Sequence, residues 1–184
     1  EVIAFVDGSL VTRYIDDAVP LSPEALRADG TLASAADLLR RTHDGPPIAA
    51  VFDWYAVPVD YAATARARGV RVPDAFDRAM VRADEVHRAF AAAPDPPVPA
   101  HNDLLGANFL LGREQRLWLI DWEYAGMNDR FFDLGNFAVN NGLDDDGDEA
   151  LLEGYFGDVT NGRIARLRLM KVMSDLREAM WGVV

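Results

Sequence analysis

"HNDLLGANFLLGREQRLWLIDWEYAG", residues 101–126, is the stretch that decides the fold. It places the polar triplet 101–103 and a single Asn108 before an apolar run, and it ends with Asp121 and Glu123 between aromatic residues. The two apolar segments on either side of the polar "GREQR" have the pattern of the two strands of a β-hairpin. Acids and an amide at the ends of otherwise apolar strands make this hairpin the first candidate for a functional site.

Pairing Leu111 with Trp118 would set the register of the hairpin. Asn108 then lies opposite Asp121 at the open end, and Asp103 lies on the loop just before it. Taken singly, Asn and Asp are common turn formers and fit a capped loop. Together, an amide and a carboxylate suit Mg²⁺, which prefers oxygen ligands and leaves room for phosphates. A further carboxylate that holds no metal can orient a hydroxyl and accept its proton, as the catalytic Asp of kinases does.

The composition limits the classes of partner. The 184 residues fit one domain or one lobe of a larger protein, and the net charge of −12 disfavours nucleic acid and anionic membranes. The absence of cysteine excludes disulfides and thiolate sites. No apolar run approaches the roughly 20 residues of a membrane span. We therefore expect a cytoplasmic protein whose partner is a small molecule.

The rest of the chain is mostly helical by pattern. Two segments at the start have the pattern of strands joined by a hairpin turn at Asp7-Gly8. Ser22 followed by Pro has the pattern of a helix start, and residues 76–93 and 163–181 each place apolar side chains on one helical face. These features predict an α+β fold with a mostly helical body and small β-hairpins.

The motifs of this chain resemble a known superfamily. "HND", four residues, Asn and then a hairpin ending "IDWEYAG" is similar to the aminoglycoside phosphotransferase and choline kinase superfamily, relatives of the protein kinases. "LVTRYID", "MNDRFFDLGNF" and "SDLREAMWGVV" resemble choline/ethanolamine kinases in particular. The resemblance implies a protein-kinase-like fold, with residues 1–16 as the end of an N-terminal lobe and its hinge, and residues 17–184 as a helical C-terminal lobe.

The resemblance also implies a reaction and its cofactors. The γ-phosphoryl of ATP would be transferred, with Mg²⁺, to a hydroxyl of choline, ethanolamine or a similar amino alcohol. Asp103 would be the catalytic base, and Asn108 and Asp121 would hold Mg²⁺. The adenine would be bound by the hinge residues Arg13, Tyr14 and Ile15.

Three residues match the substrate pocket of choline kinases. They are Glu123, Tyr124 and Trp181, a carboxylate and two aromatic rings of the kind that hold an ammonium group. Two departures weaken the case for choline itself. Eukaryotic choline kinases tend to carry an acid where Asn140 stands here, and two tryptophans where this chain has Glu178 and Trp181.

Two further residues are expected to support the catalytic loop. By likeness to kinases, His101 is structural, and Asp133 of the triplet "DLG" holds the backbone of the loop by hydrogen bonds. Asp133 follows the hairpin in sequence, so Asp121 keeps the metal-binding role. No acid lies at a sequence spacing that would indicate a functional pair with His43 or His87 on their helices, and we expect both to be structural or exposed.

A complete kinase of this type needs a Gly-rich loop and a strand Lys paired with a helix Glu. Here the glycines are scattered and the only lysine is Lys171. We therefore expect a fragment of a longer protein that by itself binds nucleotide weakly and turns over little. Other interpretations stay open: an aminoglycoside or sugar phosphotransferase, a non-catalytic pseudokinase binding module, and a metal-dependent hydrolase, which would want more metal ligands.

Overall fold

The computed structural model describes residues 2–7 and 9–184, which form a mostly helical body with small antiparallel sheets. The helices are α1 (Pro23–Arg27), α2 (Asp29–His43), α3 (Ala56–Ala67), α4 (Phe76–Ala92), α5 (Arg130–Asn140), α6 (Asp145–Phe156) and α7 (Asn161–Trp181). The strands are β1 (Val2–Val6), β2 (Ser9–Thr12), β3 (Val19–Pro20), β4 (Val98–Ala100), β5 (Phe109–Leu111), β6 (Leu117–Leu119) and β7 (Gly126–Asn128). The predicted α+β fold is therefore confirmed. No helix in this described part of the chain has both the length and the apolar character needed to cross a membrane.

The first hairpin pairs β1 with β2, with Val6 opposite Ser9. Asp7 has a φ of +49°, the left-handed conformation that a two-residue hairpin turn requires. Gly8, the second residue of the predicted turn, lies outside the described residues.

The central hairpin pairs β5 with β6, and its register differs from the prediction by one residue. Leu111 lies opposite Leu117, so the predicted pairing of Leu111 with Trp118 is wrong. The N–H of Gly112 donates to the carbonyl of Arg116 at 2.9 Å, which closes the connection around a three-residue 3-10 turn. Because the connection closes between Gly112 and Arg116, the strands pair one residue earlier on the second strand than predicted.

The predicted helix starts and apolar faces are confirmed. Ser22 caps α1 by accepting a hydrogen bond from the N–H of Ala25 at 3.3 Å. In α4 the predicted face is buried at Phe76, Ala83, Val86 and Phe90. Helix α3 was not predicted, because its alanine-rich sequence has a weak periodic pattern and carries Pro58 in its first turn.

The core is centred on α5, where every residue from 131 to 138 is buried. This helix packs closely against α7, and Gly135 permits the approach. A Cβ at Gly135 would lie 2.7 Å from the backbone carbonyl carbon of Met170 and 2.8 Å from the backbone nitrogen of Lys171. Both atoms belong to a helix backbone and cannot rotate away, so the position accepts only glycine without a shift of α7.

Replacing Gly135 by Ala should lower the free energy of unfolding by about 1–3 kcal/mol, the usual cost of overpacking a core. The matched control is Gly30→Ala in α2, because a Cβ at Gly30 meets nothing within 4 Å. That control should leave stability unchanged or raise it slightly, since Ala favours the helix over Gly. Chemical denaturation of both variants measures the difference. Equal stabilities for the two variants would contradict the close approach of α5 and α7.

Candidate active site

Strands β4 and β7 bring the catalytic loop to the central hairpin. Their pairing places Ala100, the residue before the loop, opposite Gly126, just after the segment 121–125. The second residue of the loop, Asn102, is buried at a φ of +68°, and its amide donates to the carbonyl of Tyr124 at 2.9 Å. One buried amide therefore joins the predicted catalytic loop to the predicted substrate segment.

Asp133 holds the backbone of this loop, with the hydrogen bonds that the sequence analysis predicted. Its carboxylate is fully buried and accepts from the N–H of His101 at 2.8 Å and of Asn102 at 2.7 Å. Burial alone would raise the pKa of Asp133. The hydrogen bond and charge of His43, with smaller contributions from His101, lower this pKa below its ordinary value instead. The loop is thus anchored to a carboxylate in the first turn of α5.

His43 extends this anchor into the helical core. Its Nε2 lies 3.0 Å from Asp133 and its Nδ1 lies 2.7 Å from the hydroxyl of Tyr155. Burial raises the pKa of Tyr155 to about 12. His43 is buried and bonded to Asp133, a partner 90 residues away in sequence that no local spacing could indicate, and its place in this network agrees with the structural role expected for it. His87 is exposed, as expected.

Both ring nitrogens of His101 are engaged. The N–H of Asp103 donates to Nδ1 at 3.3 Å, and Nε2 lies 2.9 Å from the carbonyl of Ile120. Nδ1 thus accepts a hydrogen bond from the backbone, and Nε2 is in hydrogen-bond contact with a backbone carbonyl. The side chain is fully buried and its ring packs edge-on against Trp122. A histidine with both nitrogens occupied is suited to hold the loop against the hairpin, not to exchange a proton.

Asp103 is largely buried and forms an ion pair that the sequence analysis missed. The Nη1 of Arg177 donates to its Oδ1 at 3.1 Å and also contacts the carboxylate of Glu178. Burial works against the charge on Arg177, but Glu178 and Asp103 together raise its pKa. The pair leaves the second oxygen of Asp103, Oδ2, for another partner. The sequence carries no local signal for this ion pair, because Arg177 and Asp103 lie 74 residues apart.

The two predicted metal ligands lie next to each other at the open end of the hairpin. The carbonyl of Asn108 accepts from the N–H of Ile120 at 3.0 Å, so the predicted position of Asn108 opposite Asp121 is wrong by one residue and Asp121 follows directly after the pairing residue. The amide nitrogen of Asn108 donates to the carbonyl of Asp103 at 2.9 Å, which leaves its Oδ1 as a ligand. Asp121 is exposed at a φ of +66°. An amide oxygen and a carboxylate in this arrangement fit the oxygen ligands that Mg²⁺ prefers.

A cavity of about 90 Å³ lies beside Asp103. It is lined by Asp103, Leu105, Glu123, Tyr124, Arg177, Glu178 and Trp181. The structure therefore gathers all three predicted substrate residues and the predicted base around one small pocket. Arg177 and Glu178 are lining residues that the sequence analysis did not assign.

Tyr61 of α3 lies close to two residues of the pocket wall, Arg177 and Tyr124, although it does not line the cavity itself. Burial raises the pKa of Tyr61. The spacing of the aromatic residues in the sequence does not show which others lie near the site. Trp54 lies in the main core, and the hydroxyl of Tyr55 contacts Asp84 on α4.

The predicted hinge is an irregular segment between β2 and β3. It contains Arg13, Tyr14 and Ile15. The side chain of Tyr14 is exposed, and that of Ile15 is half-buried. Strand β3 then pairs with β5, with Val19 opposite Leu111, so the segment leads directly to the central hairpin. The only lysine, Lys171, contacts Asp148 at 2.8 Å and has a structural role between α6 and α7.

The comparisons with known proteins identify the family. The model of the phosphotransferase enzyme family matches residues 2–169. The chain belongs to this family. Within it, the resemblance to choline/ethanolamine kinases that the motifs indicated is confirmed by relatives of that kind. A crystal structure of a choline/ethanolamine kinase family protein from Mesorhizobium loti is 34% identical, with a TM-score of 0.88, and the match covers 100% of this chain and 64% of that protein.

Curated relatives agree with this family assignment. Protein LicA of Haemophilus influenzae is 28% identical over 188 residues, covering 95% of this chain and 67% of LicA. A probable ethanolamine kinase of Arabidopsis thaliana is 57% identical over 42 residues, covering 22% of this chain and 11% of that protein. The chain spans between about half and two thirds of the length of LicA and of the Mesorhizobium protein.

Proposed function

We propose that the protein is the catalytic part of an ATP-dependent kinase that phosphorylates a hydroxyl of a small amino alcohol, such as choline or ethanolamine. The observation that carries the proposal is the position of Asp103. Its carboxylate lines the pocket with Glu123 and Tyr124, while its backbone carbonyl holds Asn108 beside Asp121. One residue thus links a pocket for the acceptor to a site for the metal-bound phosphates.

In the proposed reaction Asp103 is the base. Its Oδ2 accepts the hydrogen bond of the acceptor hydroxyl and takes the proton as the hydroxyl oxygen bonds to the γ-phosphorus of ATP and the bond from that phosphorus to ADP, the leaving group, breaks; Arg177 holds Oδ1. Asn108 and Asp121 would hold Mg²⁺, which when bound with ATP neutralises charge on the transferred phosphoryl group. His101 and Asp133 keep the loop in place and exchange no proton.

The charge of the pocket supports a cationic acceptor. Three carboxylates line it, those of Asp103, Glu123 and Glu178, against the single guanidinium of Arg177. An ammonium group is favoured in such a negative site, and the exposed indole of Trp181 provides an aromatic face for it.

We also propose the lobe assignment made from the sequence. Residues 1–16 would be the end of an N-terminal lobe with its hinge, and residues 17–184 the C-terminal lobe that carries both the base and the metal ligands. Support comes from the pairing of β3 with β5, which places the hinge segment next to the hairpin. The backbone of Arg13, Tyr14 and Ile15 would then bind the adenine.

The test of the proposed function is ATP consumption by the complete gene product with Mg²⁺, across choline, ethanolamine, other amino alcohols and aminoglycosides. Stimulation by one amino alcohol is the expected result. Stimulation by aminoglycosides alone would keep the base and metal assignments but overturn the acceptor. Nucleotide binding without stimulation by any of these acceptors would overturn the proposal and favour a pseudokinase.

Asp121→Asn should weaken the binding of Mg²⁺–ATP strongly. Asn tolerates the positive φ at this position, so the change removes only the charge of the ligand. The Kd should rise by at least the roughly 10–100-fold that even outer-shell partners of a metal contribute. Glu114→Gln is the matched control, since Glu114 is also exposed, has a φ of +57° and lies at the turn end of the same hairpin. Calorimetric titration with Mg²⁺–ATP measures both, and equal Kd values would rule out Asp121 as the ligand.

A further inference from the structure

Arg177 is placed where an acceptor's cation would be expected. Its side chain is buried at the wall of the pocket, and the guanidinium carbon lies 4.7 Å from the ring centre of Tyr124. The same guanidinium contacts the carboxylates of Asp103 and Glu178. An aromatic face with nearby carboxylates is the usual setting for an organic cation. In this protein, one such setting is already filled by a side chain of the protein itself.

The bonding of Arg177 is incomplete. Its Nε is buried and has no hydrogen-bond partner among the residues that the structure describes. An unpaired buried donor lowers stability, and replacing a buried ion pair by apolar residues is often neutral or stabilising. Arg166 on the same helix also has a buried Nε without a partner, so what distinguishes Arg177 is its position at the wall of the pocket, over Tyr124 and beside Asp103.

We propose that Arg177 is a resident cation that sets acceptor selectivity: it occupies the face of Tyr124 and restricts the pocket to acceptors with a primary ammonium group. This inference rests on the proposed function and names the residue that decides among amino alcohols. Ethanolamine-like acceptors are favoured, and trimethylammonium acceptors such as choline are disfavoured.

The groups that Arg177 leaves available suit N–H donors. The contacts of Glu178 with Arg177 and Asn136 both use Oε1, which leaves Oε2 for an acceptor, and Glu123 is exposed at the rim. A primary ammonium has three N–H groups that can donate to these carboxylates. A quaternary ammonium has none, and depends on aromatic faces that only Trp181 still offers.

The wild-type protein gives the first test. In the complete enzyme, kcat/KM should be higher for ethanolamine than for choline by about tenfold or more, the size of one lost cation–π contact together with unpaired carboxylates. Methylammonium should inhibit competitively at concentrations at which tetramethylammonium does not. Preference for choline, or stronger inhibition by tetramethylammonium, would overturn the inference.

The second test removes the resident cation at constant charge. The double variant Arg177→Met/Glu178→Gln loses one positive and one negative group, so the net charge of the pocket is unchanged. Relative to Glu178→Gln alone, the choline-to-ethanolamine ratio of kcat/KM in the double variant should rise by about tenfold, mainly through a lower KM for choline, because the face of Tyr124 is freed. Tetramethylammonium should then become a competitive inhibitor.

Arg166→Met is the matched control on the same helix. Arg166 also pairs with an acid, Asp129 at 2.8 Å, and lies over an aromatic ring, that of Phe90 at 4.2 Å, but it does not line the pocket. It should lower stability without changing the selectivity ratio. An unchanged ratio in a folded double variant would overturn the role of Arg177 and leave the proposed function intact. If no amino alcohol is phosphorylated by the wild type, the proposed function fails and this inference fails with it.

Discussion

Asp103→Asn in the complete gene product should lower kcat for the amino alcohol by about 10²–10⁴-fold, the contribution of a positioned base. The amide has nearly the shape of the carboxylate, and its oxygen can still accept from Arg177, so the pocket should keep its form. What it loses is the ability to take the proton of the acceptor hydroxyl. The Kd for Mg²⁺–ATP should stay unchanged, since Asp103 holds Asn108 through its backbone carbonyl and not through its side chain.

The control for this variant is Asp146→Asn, an exposed acid in the first turn of α6. It makes the same chemical change away from the pocket and should leave kcat and KM unchanged. Single-turnover measurements separate the chemical step from product release. A chemical step in Asp103→Asn within about tenfold of wild type would contradict the base assignment.

Asp133→Asn should destabilise the protein by about 3 kcal/mol or more, because it breaks a buried charged network. Three donors point at this carboxylate, the N–H groups of His101 and Asn102 and the ring of His43. An amide can accept from one side only, and its NH₂ group would face the remaining donors. The catalytic loop should lose its anchor, so kcat should fall as well.

The same variant should change the dependence of stability on pH. The pKa of Asp133 is lower in the folded protein than its ordinary value of 3.8. The stability that its ionisation contributes is therefore fully present above that value and is lost as the pH falls through the lower folded pKa. The difference in unfolding free energy between wild type and Asp133→Asn should shrink below about pH 3.8. Denaturant titrations at a series of acidic pH values measure it.

Asp148→Asn serves as the matched control for Asp133. Asp148 is also a buried acid, paired with Lys171 at 2.8 Å, but burial raises its pKa and it makes no contact with the catalytic loop. Its ionisation therefore opposes folding near neutral pH. The difference in unfolding free energy between wild type and Asp148→Asn should accordingly not shrink at acidic pH as it does for Asp133→Asn. It should also keep wild-type kcat. Matching behaviour of the two variants in both measurements would refute the anchoring role of Asp133.

The sequence predicted the parts of this protein that depend on local pattern. The helices at 76–92 and 161–181 follow from apolar periodicity, and the cap at Ser22 follows from side-chain chemistry. The candidate site was found because its residues lie close together in the chain, from Asp103 to Tyr124. Such features need no knowledge of tertiary contacts.

The features that were missed depend on contacts between distant segments. The partner of His43 lies 90 residues away and that of Asp103 lies 74 residues away, so no spacing rule could find either pair. The strand at 98–100 contains Pro99, and proline usually interrupts a strand because it lacks a backbone N–H, yet this segment pairs with β7. The one-residue register error arose because the sequence pattern did not show that residues 113–115 form a 3-10 turn, and the turn geometry sets the register.

The end of α7 carries residues that contact the proposed acceptor, apart from the residues proposed for phosphoryl transfer. Three residues of the pocket wall, Arg177, Glu178 and Trp181, lie within the last two turns of this one helix, whereas the proposed base and the proposed metal ligands lie on the loop and hairpin. The same helix packs closely against Gly135 of α5 at Met170 and Lys171, about two turns before Arg177. Substitutions in this one short helical segment during evolution would therefore change the acceptor pocket and leave the proposed base and metal ligands in place.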